Sequence, residues 1–137
     1  MVNVTGILET ALYVDDLARS AAFYQSLFGF AQLVVSDRLI ALAVHDWQVL
    51  LLFRKGSTTE TAVLPGGTIP PHDGNGRLHF AFAISAAELD VWRDRLHSSG
   101  VAIEGEVKWP RGGTSLYFRD PDAHLVELAT PGLWSTY

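Results

Sequence analysis

Glu9, His79 and Glu127 are the residues whose types could together do chemistry in this chain. Each lies in a short alternating run of apolar residues that reads as a β-strand. A carboxylate in such surroundings is costly unless it is paired, hydrogen-bonded or bound to metal. Glu127 shares its side of the run with Leu125 and Ala129, so it faces either solvent or an enclosed site. Taken singly, Glu9 reads as a solvent-facing strand residue and His79 as a hydrogen-bonded structural one. Their positions set them together.

The chain reads as strand-helix-strand-strand-strand, and then the same again, which makes it an internal repeat. Aligning the two first strands puts Glu9 opposite His79, 70 residues further on. Aligning the two last strands puts Leu51 opposite Glu127, 76 residues further on. Three of these four equivalent positions carry metal-competent side chains. Carboxylate, imidazole and carboxylate suit a divalent ion of intermediate hardness: Mn, Fe(II), Co, Ni or Zn. Three protein ligands leave coordination positions open for water and substrate. Small neighbours, Ala11, Ala81 and Ala83, leave room beside Glu9 and His79, with Tyr13 on the same strand face.

The elements that must position these residues are legible from pattern. Ile7 to Val14 alternates as a strand, and Asp15-Asp16 supplies helix-capping chemistry. Leu17, Ala21, Tyr24 and Leu27-Phe28 follow at helical spacing, with Gly29 placed as a stop. Strands are expected at Phe30–Val35, Leu39–Val44 and Gln48–Phe53. Residues 55–76 carry five glycines, three prolines and four threonines and read as a linker that could fold over a site. Leu78–Ile84 is a strand. Ser85-Ala86-Ala87-Glu88 has the form of a capping box, Leu89, Trp92 and Leu96 mark a helix, and Gly100 ends it. Val101–Val107 reads as a strand and Trp109–Gly113 as a loop. Ser115 to Thr130 closes the chain as a hairpin about the turn Asp120-Pro121-Asp122-Ala123. Module one therefore spans about 5–54 and module two 77–130, with an apolar tail at 131–137. They form one domain, with the tail packing on the body or on a partner chain.

Composition narrows the function. A chain of 137 residues that is 48% hydrophobic and 18% charged can bury a real core. Net charge is −5 and its ten basic residues form no cluster, which argues against nucleic acid as a partner. No run approaches the roughly 18 apolar residues of a membrane span. The first residues lack the basic start and apolar core of a signal peptide. There is no cysteine, so thiolate ligands, cysteine nucleophiles and disulfides are excluded, and the cytoplasm is the expected compartment.

The run from Glu9 to Leu17, followed by Phe23-Tyr24 and Leu27-Phe28-Gly29-Phe30, resembles the opening module of the vicinal oxygen chelate superfamily. His79 to Ile84 and Tyr117 to Glu127 resemble its second module. That group includes glyoxalases, bleomycin-resistance proteins, fosfomycin-resistance transferases and extradiol dioxygenases. The resemblance implies an α+β fold: two βαβββ modules in tandem forming a curved, incomplete mixed β-barrel with helices on the outside. It also implies a homodimer and a divalent metal held by Glu9, His79 and Glu127. Many relatives have His where this chain has Glu9. The Fe(II) dioxygenases use two His and one carboxylate, so Glu9 counts against that activity. Leu51 stands where lactoylglutathione-type glyoxalases have a fourth ligand. Ala123 stands where the turn usually has Gly, a minor change if φ there stays negative.

Further candidates follow. Tyr117, ten positions before Glu127, resembles in spacing the acid–base tyrosine of extradiol dioxygenases; core packing with a satisfied hydroxyl is the alternative. Arg111, in a Gly-rich loop, could pair with an anionic substrate group or be solvated. His72 reads as a mobile acid–base group or an exposed loop residue. Arg119 reads as turn support. Trp47, Phe53, Trp92 and Trp109 could line a pocket or fill the core, and Trp92 falls on the core face of its helix. Val49, Leu51 and Phe53 share the site-facing side of their strand, so the expected pocket, with Tyr13 and Trp109, suits a hydrophobic or aromatic substrate. Two functional classes compete, beside a structural or regulatory domain with no small ligand that only the generic fold supports. One is a metal-dependent isomerase, lyase, transferase or dioxygenase acting on a small oxygenated substrate. The other is a metal-free protein that sequesters an antibiotic or similar aromatic compound.

Overall fold

Periodicity turns into secondary structure closely along the first module. The computed structural model describes all 137 residues. Strand β1 spans Glu9–Val14 and helix α1 spans Leu17–Phe28. Asp16 caps α1 by accepting the Arg19 N–H, and Gly29 closes it at φ 76°. Strands β2 (Ala31–Val35), β3 (Leu39–Ala43) and β4 (Val49–Arg54) follow. They make a four-stranded sheet in the order β1-β4-β3-β2, with β1 parallel to β4 and the rest antiparallel. Leu12, Val14, Ile40, Leu42, Leu50 and Leu52 occupy one side of this sheet and are buried under Ala21, Tyr24 and Leu27 of α1. Period two in the strands and 3.6 in the helix bring these apolar faces together.

Residues 55–76 are not the element-free linker that composition suggests. They contain a short hairpin of β5 (Ala62–Leu64) and β6 (Gly67–Ile69). Three-residue strands are too short to announce themselves by alternation.

The second half repeats the plan. Strand β7 is His79–Ala83, helix α2 is Leu89–Ser98, and β8 (Gly105–Lys108), β9 (Thr114–Arg119) and β10 (Leu125–Ala129) complete the module. The sheet order is β7-β10-β9-β8, again with one parallel pair, β7 with β10. Leu96, Leu116, Phe118, Val126 and Leu128 are its buried core. Contacts group the chain into two compact units, Met1–Asn75 and Gly76–Tyr137. Each sheet is open, and no helix is long and apolar enough to cross a membrane. The architecture is α+β in tandem modules.

Register repeats as faithfully as order. Glu9 pairs with Val49 and Ala11 with Leu51 in unit one; His79 pairs with Leu125 and Ala81 with Glu127 in unit two. Ala41 opposite Leu51 likewise corresponds to Tyr117 opposite Glu127.

Three local expectations change. The strand expected from Val101 begins only at Gly105. Ser85 does not cap the backbone: its hydroxyl donates to the Glu88 carboxylate at 3.1 Å, and a 3-10 turn over Ala86–Glu88 precedes α2. Ala123 has φ 63°, not a negative φ. The turn enforces this, since the Asp120 carboxylate accepts the Asp122 and His124 N–H groups at 3.0 and 2.9 Å. Arg119 also donates to the Ala123 carbonyl at 3.2 Å. A left-handed conformation costs a residue with a Cβ roughly 1–2 kcal/mol. Ala123→Gly is therefore expected to stabilise the protein by about 0.5–1 kcal/mol, after the added unfolded-state entropy of Gly. The urea midpoint checks this; an unchanged or lower midpoint contradicts it.

Candidate functional site

Strand β10 delivers Glu127 into the interior of unit two, where it is only 5% exposed. Adjacent strands supply what a buried carboxylate needs. Ser115 and Tyr117, both from β9, donate to the same oxygen, Oε1, at 2.5 and 3.0 Å. The Trp109 indole N–H donates to the Ser115 hydroxyl at 2.8 Å. Direction along this chain is fixed. Indole nitrogen can only donate, so Ser115 accepts from it and spends its own proton on Glu127. Oε1 therefore acts purely as an acceptor.

The other oxygen, Oε2, lies 3.3 Å from Nε2 of His79 on β7. The second ring nitrogen, Nδ1, is 3.0 Å from the Leu125 carbonyl. A carbonyl can only accept, so Nδ1 carries hydrogen and Nε2 of the neutral ring presents a lone pair. Two acceptors thus face each other, and a single cation fits between them: either a proton or a metal ion. Two ligands about 2.1 Å from a shared ion sit roughly 3 Å apart, so the observed spacing suits a metal. The imidazole N–H bonded to a carbonyl is the usual support of a metal-binding histidine.

A cavity of about 470 Å³ opens on this pair, with His79, Tyr117 and Glu127 on its wall. His79 is half exposed there, whereas Glu127 is covered. Burial, and then the bond to Glu127, raise the Tyr117 phenol above its ordinary pKa.

The remaining candidates are distributed as follows. Glu9 is exposed at the start of β1 in unit one. No group of three His, Asp or Glu side chains gathers in the structure; the pair that meets is His79 with Glu127. Tyr13, Val49, Leu51 and Phe53 share one side of the first sheet, and Tyr13 stacks on Phe53 with centroids 5.9 Å apart. Trp109 lines the cavity in unit two. Arg111 is exposed and does not line it. Trp47 is exposed, and Trp92 half-buried.

His72 is not a free loop group. Its Nδ1 is 2.7 Å from the Tyr13 hydroxyl, and buried Thr58 holds its backbone at both N–H and carbonyl. Gly74 lies so close to the Tyr13 ring that a Cβ would meet it at 2.2 Å. Ser115 is the residue that motif reasoning omits. Its signal is parity, because it shares with Tyr117 the side of β9 that faces Glu127.

Similarity to known proteins agrees with the fold. The family model described as Glyoxalase/Bleomycin resistance protein/Dioxygenase superfamily matches residues 6–128. A metallothiol transferase FosB from Lysinibacillus sphaericus is 32% identical over 130 residues, covering 93% of this chain and 84% of that protein. The crystal structure of a lactoylglutathione lyase from Agrobacterium tumefaciens superposes with a TM-score of 0.87 at 34% identity, over 96% of this chain and 98% of that one. The fosfomycin resistance protein FosX from Listeria monocytogenes superposes at 0.68 with 25% identity, over 93% and 94% of the two chains.

The Tyr117 bond generates a prediction at alkaline pH. A raised phenol keeps its proton in the folded state at pH values where the unfolded chain, near pKa 10, has released it. Stability is thus full below pH 10 and falls as pH rises through the folded-state value. Tyr13 and Tyr137, also raised by burial, add to the same slope. Tyr117→Phe is expected to flatten the fall in urea midpoint between pH 9.5 and 11. A slope identical to the parent would mean that the phenol does not hold Glu127 in solution.

Proposed function

The chain belongs to the glyoxalase/bleomycin resistance protein/dioxygenase superfamily, and from that premise we propose that it is a metal-dependent enzyme binding a small substrate through two adjacent oxygens. The observation that carries the proposal is the single-cation position between Oε2 of Glu127 and Nε2 of His79. These two residues would hold a divalent ion such as Mn, Fe(II), Co, Ni or Zn. Glu9 is proposed as the third ligand on its register equivalence to His79. When bound, such an ion supplies Lewis-acid polarisation of the substrate's oxygens.

The protein's own part is positioning. Ser115 and Tyr117 hold Oε1, so that Oε2 is the oxygen presented towards His79. The Leu125 carbonyl fixes the imidazole tautomer. Tyr117 keeps its proton at neutral pH and lines the cavity as a hydrogen-bond donor beside the reacting groups. A carboxylate at Glu9 favours a lyase or transferase over an Fe(II) dioxygenase, which would want a second imidazole. The relatives named as a lactoylglutathione lyase and a metallothiol transferase belong to these two reaction classes. The protein is proposed to work as a cytoplasmic homodimer. A metal-free binding protein is the weaker reading, because nothing in simple sequestration calls for a buried carboxylate aimed at an imidazole lone pair.

Thermal unfolding of chelator-treated protein with added Mn(II), Co(II), Ni(II) or Zn(II) tests this. At a hundredfold excess over Kd, stabilisation of about 2.7 kcal/mol is expected. Glu127→Gln should fold normally and lose that response. Its amide oxygen can still accept from Ser115 and Tyr117, while its N–H fills the cation position by donating to Nε2 of His79. Glu9→Gln should weaken the response without changing the metal-free midpoint. Full stabilisation of Glu127→Gln by metal would overturn the ligand assignment.

A further inference from the structure

The cavity beside the His79–Glu127 pair has two contrasting sides. Against the polar wall stand Phe80, Ala81, Trp109, Leu133 and Trp134, and no Lys or Arg lines the cavity. Its volume of about 470 Å³ falls in the range of small-molecule sites.

The Trp109 ring is held in place by its N–H bond to Ser115. Trp134 belongs to the C-terminal tail, and that tail is folded and tied. The Tyr137 hydroxyl donates to the Ala129 carbonyl at 2.8 Å, and the Gly132 N–H donates to the Tyr137 carbonyl at 2.8 Å. The Gly113 N–H donates to the Gly132 carbonyl at 3.1 Å, in a contact so close that a Cβ on Gly113 would meet the Gly132 backbone at 2.7 Å. On this fixed tail Trp134 remains 68% exposed, at the cavity. A large ring held at the edge of a cavity without being packed offers its surface to something else.

We infer that Trp109, Leu133 and Trp134 form an apolar subsite for a flat, uncharged ring of the substrate, whose adjacent oxygens are directed at the His79–Glu127 end. This rests on the metal-site reading above for the orientation of the oxygens, though not for the subsite itself. With no Lys or Arg on the cavity wall, a charge carried on the ring itself would be left unpaired in the apolar subsite, so the ring is expected to be uncharged. The class expected is an aromatic or alicyclic compound bearing two neighbouring oxygens. Substrate choice is thereby assigned to the C-terminal tail, separately from the hairpin that carries Glu127.

The test compares 2,3-dihydroxynaphthalene with catechol by calorimetry on Mn(II)-loaded protein. Both present the same two oxygens, and only the first adds a second ring. The larger diol is expected to bind about tenfold more tightly, as burial of a few extra ring carbons implies. In Trp134→Ala the ratio should fall below about threefold while Mn(II) affinity is unchanged, since Trp134 touches neither ligand. Equal affinities for the two diols, or an unaltered ratio in the variant, would each overturn the inference. If Mn(II) binds to no form of the protein, the metal reading fails and 2-naphthol decides the subsite by equilibrium dialysis. Saturable binding that Trp134→Ala removes supports it, and no binding overturns it.

Discussion

The direction of one hydrogen-bond chain constrains everything else in unit two. Trp109 can only donate, so Ser115 must pass its proton to Glu127. With Tyr117 donating to the same oxygen, Oε1 is saturated as an acceptor. Any positive charge that Glu127 attracts must therefore arrive at Oε2. The Leu125 carbonyl imposes the matching condition on His79 from the opposite side. Neither residue alone defines a site; two independent directional constraints leave one place for one cation. A buried carboxylate without these donors would be a destabilising defect. With them it is a poised ligand.

The two modules show how closely that chemistry is tied to its neighbours. Strand order is the same in both, and so are the register of the first, third and fourth strands and the placement of one parallel pair. The polar set is not repeated. Leu39, Ala41 and Leu51 occupy the positions equivalent to Ser115, Tyr117 and Glu127. Carboxylate and donors are present together in one module and absent together from the other. Physical chemistry requires this, because a buried Ser or Tyr hydroxyl facing a leucine would be as poorly placed as a glutamate facing alanine. Unit one retains Glu9 at the position equivalent to His79, on the strand side that also carries Tyr13, whose hydroxyl is bonded to His72.

Much of this was legible in the sequence because it is periodic. The offset repeat placed Glu9 with His79 and Leu51 with Glu127, and the strand register has the same equivalences. Glu127 stood out because it broke an apolar pattern. Ser115 did not, since a serine at the start of a hairpin arm breaks nothing, although it is the group that orients the carboxylate. The hairpin at 62–69 escaped because each arm is three residues long. The left-handed Ala123 escaped because its φ is set by Asp120 bonding two backbone N–H groups, a tertiary consequence of the turn. His72 looked like a loop residue because nothing local reports the buried Thr58 that fixes it.

The central claim is that His79 offers an Nε2 lone pair to a cation shared with Glu127, and nitrogen-15 NMR of the imidazole measures this directly. In metal-free protein with a neutral ring, the bond to the Leu125 carbonyl predicts the Nδ1–H tautomer. On adding Zn(II), the Nε2 resonance should move to the metal-coordinated range while Nδ1 stays protonated. An Nε2–H tautomer that is unchanged by metal would contradict the account.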